Sequence, residues 1–164
     1  MKNEQSTSYE LGRSFFNALI QTKAKIKECD CAINNIRWDC WNDFRHGNSF
    51  RTIDKIISLM ERKKKWLRFY KDSLLIMSEI PNKHKGFVKS YINFVVAKWK
   101  DPKLSIHKDF QEQVNLPTRT IFRRIALISE FVETKLLTRF KQDVYFIQEI
   151  ENENFRKKTE WRTI

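Results

Sequence analysis

The chain has 164 residues, which is enough for one or two small domains. Its three glycines and three prolines are too few for a turn-rich β-sandwich or a doubly wound sheet, and the glycines stand too far apart for a phosphate-binding loop. The net charge of +12 attracts polyanions and points to nucleic acid as the partner.

The sequence carries neither a secretory leader pattern nor a membrane span. The N-terminal MKNEQSTSYE is polar, and no run approaches the roughly 18 apolar residues that a transmembrane helix needs. Three cysteines, Cys29, Cys31 and Cys40, are an odd number that fits reduced thiols better than disulfides. We therefore expect a cytoplasmic protein without membrane contact.

Residues 1–80 contain two long helical patterns. After a capping box at Thr7 and Glu10, one seam alternates spacings of four and three through Phe15, Leu19, Thr22, Ile26, Cys29, Ile33, Ile36 and Cys40. Gly47 predicts the end of this helix. A second seam of the same kind follows at Ile56, Met60, Lys63, Leu67, Tyr70, Leu74 and Met77. Joined by a short turn, these helices predict a long antiparallel hairpin.

Such a hairpin buries little surface by itself, so it needs a third surface to pack against. That surface is either the C-terminal part of the chain or a second copy of the hairpin. We favour the second copy and expect a homodimer formed through the N-terminal hairpin. The sequence Ile80-Pro81-Asn82 ends the hairpin and predicts the domain boundary.

Residues 81–140 are predicted to form a trihelical helix-turn-helix domain, which makes the fold class all-α. The first helix is expected from about Lys83 to Trp99, with a buried stripe at Val88, Tyr91, Ile92, Val95 and Trp99. The break at Pro102 precedes a helix that Ser105 caps. With 12 basic and 5 acidic residues, this stretch has the greatest basic excess per residue.

The helix-turn-helix pattern lies between Ser105 and Val132. Ile106, Phe110 and Val114 recur every four residues and predict one face of a short helix. Asn115 tolerates a left-handed backbone and can end that helix, and Pro117 or Thr118 can open the next one. In the second helix a single stripe is predicted to face inward, formed by Ile121, Ile125, Ile128 and Val132.

Opposite this stripe, Arg119 and Arg123 lie one turn apart in the half of the helix that would reach base edges. Thr118 and Thr120 are placed to bond a phosphate, and Arg124 is rotated toward the backbone flank. The predicted DNA-contacting set is Lys108, Thr118, Arg119, Thr120, Phe122, Arg123 and Arg124.

Residues Ile106 to Ile125 resemble the region-four helix-turn-helix of bacterial sigma factors and the sigma-like domains of small phage and prophage transcription regulators. Leu116 lies at the turn. Thr118-Arg119-Thr120-Ile121 begins the second helix of the motif, the recognition helix that would contact the bases, called the reader helix below. Gln111 departs from the Ala that is usual in such motifs, and Asn115 departs from the frequent Gly. The resemblance implies promoter or operator binding, with contact to RNA polymerase as a further expectation.

Beyond the reader helix the helical pattern continues through Leu136, Leu137 and Phe140. Residues 141–164 are expected to form a short helix and a polar tail. Val144, Phe146, Ile147 and Ile150 favour the helix, although the run Asp143–Ile147 also fits a strand.

No site for catalysis, a metal or a cofactor is predicted. Cys29, Cys31 and Cys40 fall short of the four closely paired ligands of a structural zinc site. Asp39 and Asp43 lack the third carboxylate of a metal-dependent nuclease, and no nucleophile lies near a base in the pattern. We therefore do not expect an enzyme.

Together these patterns predict a sequence-specific DNA-binding transcription regulator of phage or mobile-element origin, which reads duplex DNA with the helix after Pro117. The alternative is a helical structural, assembly or adaptor protein, for phage packaging or polymerase binding, with only non-specific affinity for DNA.

Overall fold

The structure is a computed structural model that describes the backbone of residues 10–46 and 49–163 and the side chains of residues 10–36 and 51–157. In these ranges the chain is helical and contains no strand, which confirms the predicted all-α class. The predicted caps at Thr7 and Gly47, and the side chains of Asp39, Cys40 and Asp43, lie outside the described residues.

Two long helices open the chain, α1 (Glu10–His46) and α2 (Ser49–Ser78). Lys63 Nζ of α2 lies 2.6 Å from Asp30 Oδ1 of α1. Each of these residues is about four turns from the break between the helices, so α2 folds back along α1 as the predicted hairpin requires. The predicted α1 seam is confirmed in part, since Phe15, Thr22, Cys29 and Ile33 are buried, whereas its other described members are half-buried: Leu19, Ile26 and Ile36.

The buried face of α2 differs from the prediction. Met60, Leu67 and Leu74 of the predicted seam are about half exposed, whereas a neighbouring seam is buried, formed by Trp66, Phe69, Ser73 and Ile76. Both faces carry apolar residues at helical spacing. The buried one holds the larger rings, which remove more apolar surface from water. Lys63, predicted as a polar intruder in the seam, is half-buried in its ion pair.

Five further elements follow: α3 (Asn82–Lys100), a single π-helical turn (Ile106–Phe110), α4 (Gln111–Val114), α5 (Thr118–Arg139) and α6 (Lys141–Thr163). On α3, Phe87, Val88, Tyr91 and Phe94 are buried. Trp99 was predicted to be buried but is 53 % exposed, because the buried face is centred on Phe87, Tyr91 and Phe94 and is rotated away from the predicted stripe.

The last helix corrects the prediction for the C-terminus. The segment 143–150 is helical, and α6 continues to Thr163 through the residues predicted to be a polar tail. Phe146, Ile147 and Ile150 are buried. Farther along, Glu151 Oε1 accepts a hydrogen bond of 2.6 Å from the Ser14 hydroxyl, which gives the polar part of α6 a contact with α1.

The described residues of 1–20 and 73–164 form one compact unit, and residues 21–72 form another. The division differs from the predicted boundary at Pro81, because the N-terminal end of α1 belongs with the C-terminal helices. Gly12 explains part of this contact: a Cβ atom at Gly12 would lie 2.6 Å from Ser129 Cβ. Only glycine lets α1 approach α5 so closely.

Candidate nucleic-acid interface

The first helix of the predicted motif is anchored by Phe110, which is fully buried. Its ring lies 5.7 Å from the ring of Phe87, 6.1 Å from Tyr91 and 5.0 Å from Phe94, all on α3. Aromatic pairs at such distances contribute about 0.5–1.5 kcal/mol each beyond their buried area. Phe110 therefore holds the motif on the supporting helix.

Ser105 and Asp109 cap the start of this helix reciprocally. The Ser105 hydroxyl accepts a hydrogen bond from the Lys108 backbone N–H at 3.3 Å, and the Asp109 carboxylate accepts one from the Ser105 N–H at 2.8 Å. The cap that was predicted at Ser105 is confirmed. The following turn is π-helical, whereas the spacing of Ile106 and Phe110 predicted a regular α-helix.

The turn between the two helices has the predicted backbone. Asn115 is left-handed, with φ 52° and ψ 47°, and its N–H donates to the Gln111 carbonyl at 2.9 Å. Pro117 then takes the N-cap position in extended geometry, and α5 begins at Thr118 without a side-chain cap. Among the described residues, Asn115 is the only non-glycine residue with a positive φ. The tight turn therefore depends on the left-handed backbone of Asn115.

The buried face and the exposed face of α5 are the ones that the sequence predicts. Ile121, Ile125, Ile128 and Val132 are buried to 2 % exposure or less, while Arg119 and Arg123 are exposed. Neither guanidinium pairs with a carboxylate within the described part of the chain. Two cations one helical turn apart are therefore left for a ligand.

The other predicted contact residues have distinct surroundings. Arg124 is exposed, with its guanidinium carbon 5.6 Å from the Phe87 ring centre. The ring of Phe122 is half-buried and lies 5.1 Å from that of His107, which leaves it less free than predicted to meet a base. Lys108, next to His107, is exposed, and Thr118 and Thr120 are half-buried. The contact with His107 brings α5 beside the turn that carries Lys108.

The cations at the C-terminal end of α5, unlike Arg119 and Arg123, form ion pairs within the protein. Lys135 Nζ and Arg139 Nη1 lie 2.9 and 2.7 Å from the two carboxylate oxygens of Glu79. Hydrogen bonds from Lys135 and Arg139 lower the pKa of Glu79. Positive charge at this end serves the protein's own packing, and the charge of Arg119 and Arg123 has no such internal use among the described residues.

A further group of cations, which is not part of the predicted contact set, lies on and after α3. They are exposed and form no ion pair in residues 10–36 and 51–157: Lys83, Lys85, Lys89, Lys98, Lys100 and Lys103. The signal that was available is the four-residue spacing of Lys85 and Lys89, which places both on one side of the helix.

Among the described residues, no three His, Cys, Asp or Glu side chains come close enough to hold a metal ion. Cys29 is buried and Cys31 is exposed. Burial raises the pKa of the Cys29 thiol, although Arg62 acts in the opposite direction. The described helices also include none that is long and apolar enough to cross a membrane.

In comparisons with known proteins, the chain matches no family model, no curated protein and no solved structure. The resemblance to region four therefore stays a prediction based on residues 106–125.

Proposed function

We propose that the chain is a sequence-specific DNA-binding regulator that places the N-terminal half of α5 in a major groove. The observation that carries this proposal is the pairing of buried Ile121 and Ile125 with exposed Arg119 and Arg123 on the opposite face. The two arginines are separated by about 6 Å along the helix axis, close to two base steps of about 3.4 Å. Each guanidinium can bond a guanine edge in bidentate fashion.

Four other residues of the predicted set are assigned to the DNA backbone. Lys108 supplies positive charge beside the reader helix, Arg124 supplies it on the flank of that helix, and the Thr118 and Thr120 hydroxyls lie in its first turn. Packing of Arg124 on Phe87 orients its guanidinium. Such contacts fix the position of a protein on the duplex and make its affinity depend on salt, while the base contacts provide the specificity.

Fluorescence anisotropy on duplex fragments selected from the source genome tests this assignment. We expect Arg119→Ala/Arg123→Ala to lose about 1–3 kcal/mol of binding free energy per arginine. The matched control is Lys23→Ala/Lys27→Ala, which removes two exposed cations at the same spacing from α1. Lys108→Ala should weaken all sequences equally and reduce the salt slope by about one.

The proposal is contradicted if the double arginine variant binds the selected duplex as tightly as the wild type. It is also contradicted if the Lys23/Lys27 control loses the same affinity, because binding would then depend on net charge alone.

We further propose that residues 53–67 of α2 form a homodimer contact. Ile53, Ile57, Met60 and Leu67 are 43–54 % exposed and, at 100° per residue, lie within about 80° of one another around the helix. We assign a second copy as the occupant, because this exposed apolar stripe can pack against the same stripe of another hairpin. In an antiparallel pairing centred near Arg62, Ile57 of one copy faces Leu67 of the other at both ends of the contact.

Size-exclusion chromatography with light scattering tests the homodimer. We expect a dimer for the wild type and a monomer for Met60→Lys, since the new cation faces Lys64 of the other copy and replaces an apolar contact. Leu137→Lys alters an equally exposed apolar residue on α5 and should leave the dimer intact. A monomeric wild type, or a dimeric Met60→Lys variant, contradicts this contact.

The same exposed stripe supports a second candidate function, that of a helical assembly or adaptor protein with non-specific DNA affinity. The partner would bind residues 53–67, and RNA polymerase is the partner that the region-four resemblance implies. Light scattering with and without the selected duplex separates the two functions. An adaptor forms a large oligomer or a tight protein complex whose mass the duplex does not change, whereas the regulator gains the mass of the duplex.

A further inference from the structure

A cleft of about 450 Å³ opens between the start of α1 and the C-terminal half of α3. All of its lining residues belong to the same compact unit: Arg13, Asn17, Tyr91, Phe94, Val95, Lys98, Trp99, Pro102 and Ile106. Its volume falls within the range of about 300–1,000 Å³ that small-molecule sites occupy. None of these residues belongs to the predicted DNA-contacting set.

The walls of the cleft are largely aromatic and aliphatic. Tyr91 and Phe94 are packed in the core beneath it, with 6 % and 4 % exposure, so they form a rigid base. Trp99 is 53 % exposed at the side. A large ring left half in solvent beside other apolar groups offers a flat surface on which a planar ligand can stack.

Two cations lie at the same cleft without internal partners. Arg13 and Lys98 are exposed, and neither pairs with a carboxylate in the part of the chain that the structure describes. The lining includes no acidic side chain. The site therefore favours a ligand that carries negative charge.

Tyr91 adds a hydrogen-bond donor. Burial raises the pKa of its phenol, and the positive charge of Arg13 offsets only part of that effect. The hydroxyl therefore stays protonated at neutral pH, and it makes no hydrogen bond to another described residue. A phenol donor in a cleft that Arg13 also lines is suited to an oxygen of an anionic ligand.

We propose that this cleft binds a small planar aromatic anion. The ring of the ligand stacks on Trp99, and its carboxylate or phosphate is held by Arg13 and Lys98. A neutral apolar ligand would leave both cations unused, and inorganic phosphate would gain nothing from the aromatic wall. Paired bases in duplex DNA are stacked on one another, so they offer no free ring face to Trp99.

Isothermal titration calorimetry on the full chain tests the proposal with adenosine monophosphate and 2-naphthoate as probes. Adenosine and inorganic phosphate serve as the neutral and the ring-free controls. We expect saturable binding of one or both anionic probes and at least about tenfold weaker binding of both controls. Binding of the nucleotide alone assigns the site to nucleotides, and binding of both probes assigns it to aromatic anions generally.

Variants then locate the binding. Trp99→Ala and Arg13→Gln should each weaken the probe by about tenfold, whereas Trp99→Phe keeps a ring and should keep most of the affinity. Lys100→Gln removes an exposed cation of α3 that does not line the cleft, and it should change nothing. Absence of saturable binding by either anionic probe overturns the proposal. So does equal affinity in Trp99→Ala, Arg13→Gln and the wild type.

Discussion

Four cations on α5 differ in what lies beside them. Lys135 and Arg139 are held by Glu79, whereas Arg119 and Arg123 are exposed without a carboxylate partner among the described residues. Charge placed on a surface without internal compensation raises self-repulsion and gives the protein a local attraction for anions. The difference between the two ends of one helix is the residue-level basis for assigning the N-terminal half to DNA.

Glu133 on the same helix provides a residue-level prediction. Its Oε2 atom is buried and forms no hydrogen bond with a described residue. Burial, and secondarily Glu130, raise the pKa of its carboxyl group above the usual value of 4.5. A carboxyl whose pKa is raised by folding destabilises the protein at any pH where it is ionised in the folded state.

Glu133→Gln should therefore raise the free energy of unfolding at pH 7, because it removes an unfavourably placed charge. The gain should shrink as the pH falls through the raised pKa and vanish below the usual value of 4.5, where both states are protonated. Urea unfolding at pH 7 and at pH 4 measures this. A gain of equal size at both pH values, or a loss at pH 7, contradicts the interpretation.

At the scale of elements, the crossing of α1 and α5 depends on Gly12. A Cβ atom at this position would lie 2.6–2.8 Å from the Ser129 backbone and Cβ atoms. Gly12→Ala should therefore destabilise the protein by about 1–3 kcal/mol, as overpacking does.

Gly86→Ala is the matched control, because a Cβ atom there meets nothing within 4 Å. Alanine is the better helix former, so this variant should be stabilised by about 0.5–1 kcal/mol. Urea midpoints that move in opposite directions for the two variants agree with the crossing. A Gly12→Ala variant as stable as the wild type refutes it.

The turn that joins α4 to α5 gives a second prediction for an element. Asn115 has φ 52°, a region that costs an ordinary L-residue about 1–2 kcal/mol. Asn115→Ala should lower stability by about 1 kcal/mol, and Asn115→Gly should be neutral or slightly stabilising. Thermal unfolding of the two variants measures this difference. Equal stability of the alanine and glycine variants would exclude a left-handed turn.

The elements also show what the sequence can predict. The left-handed turn at Asn115, the cap at Ser105 and the inward stripe of α5 are confirmed, because each depends on residues close together in the chain. The buried face of α2 was predicted wrongly. Apolar residues line two of its faces, and the pattern does not tell which face meets the rest of the protein. Trp99 lies on the predicted stripe of α3 just as Tyr91 does. Tyr91 is buried, but no other part of the described chain covers Trp99, which is half exposed.

At the scale of the whole molecule, the sequence predicted the hairpin but not the compact units. The division at residues 20 and 72 follows from contacts such as Gly12 with Ser129 and Ser14 with Glu151. These residues are more than a hundred positions apart, and no local pattern relates them. The length of α6 was missed for a similar reason, since its polar second half has little hydrophobic periodicity to identify it as a helix.

The whole molecule, as proposed, has three separate surfaces. The N-terminal half of α5 contacts duplex DNA, residues 53–67 of α2 contact a second copy, and the cleft lined by Trp99 takes a small aromatic anion. No residue belongs to more than one of these sets, so variants in one should leave the other two activities intact. Loss of DNA binding in Trp99→Ala at unchanged stability would contradict that independence.

The specificity ratio of the protein measures whether Arg119 and Arg123 read the DNA sequence. It is the affinity for a duplex selected from the source genome divided by the affinity for a scrambled duplex of equal length, measured at one fixed salt concentration. We predict a ratio of about 10³ or more for the wild type, and a ratio close to one for Arg119→Ala/Arg123→Ala, with weak salt-dependent binding retained. A wild-type ratio near one, or an unchanged ratio in the double variant, would contradict the claim that these arginines read DNA sequence.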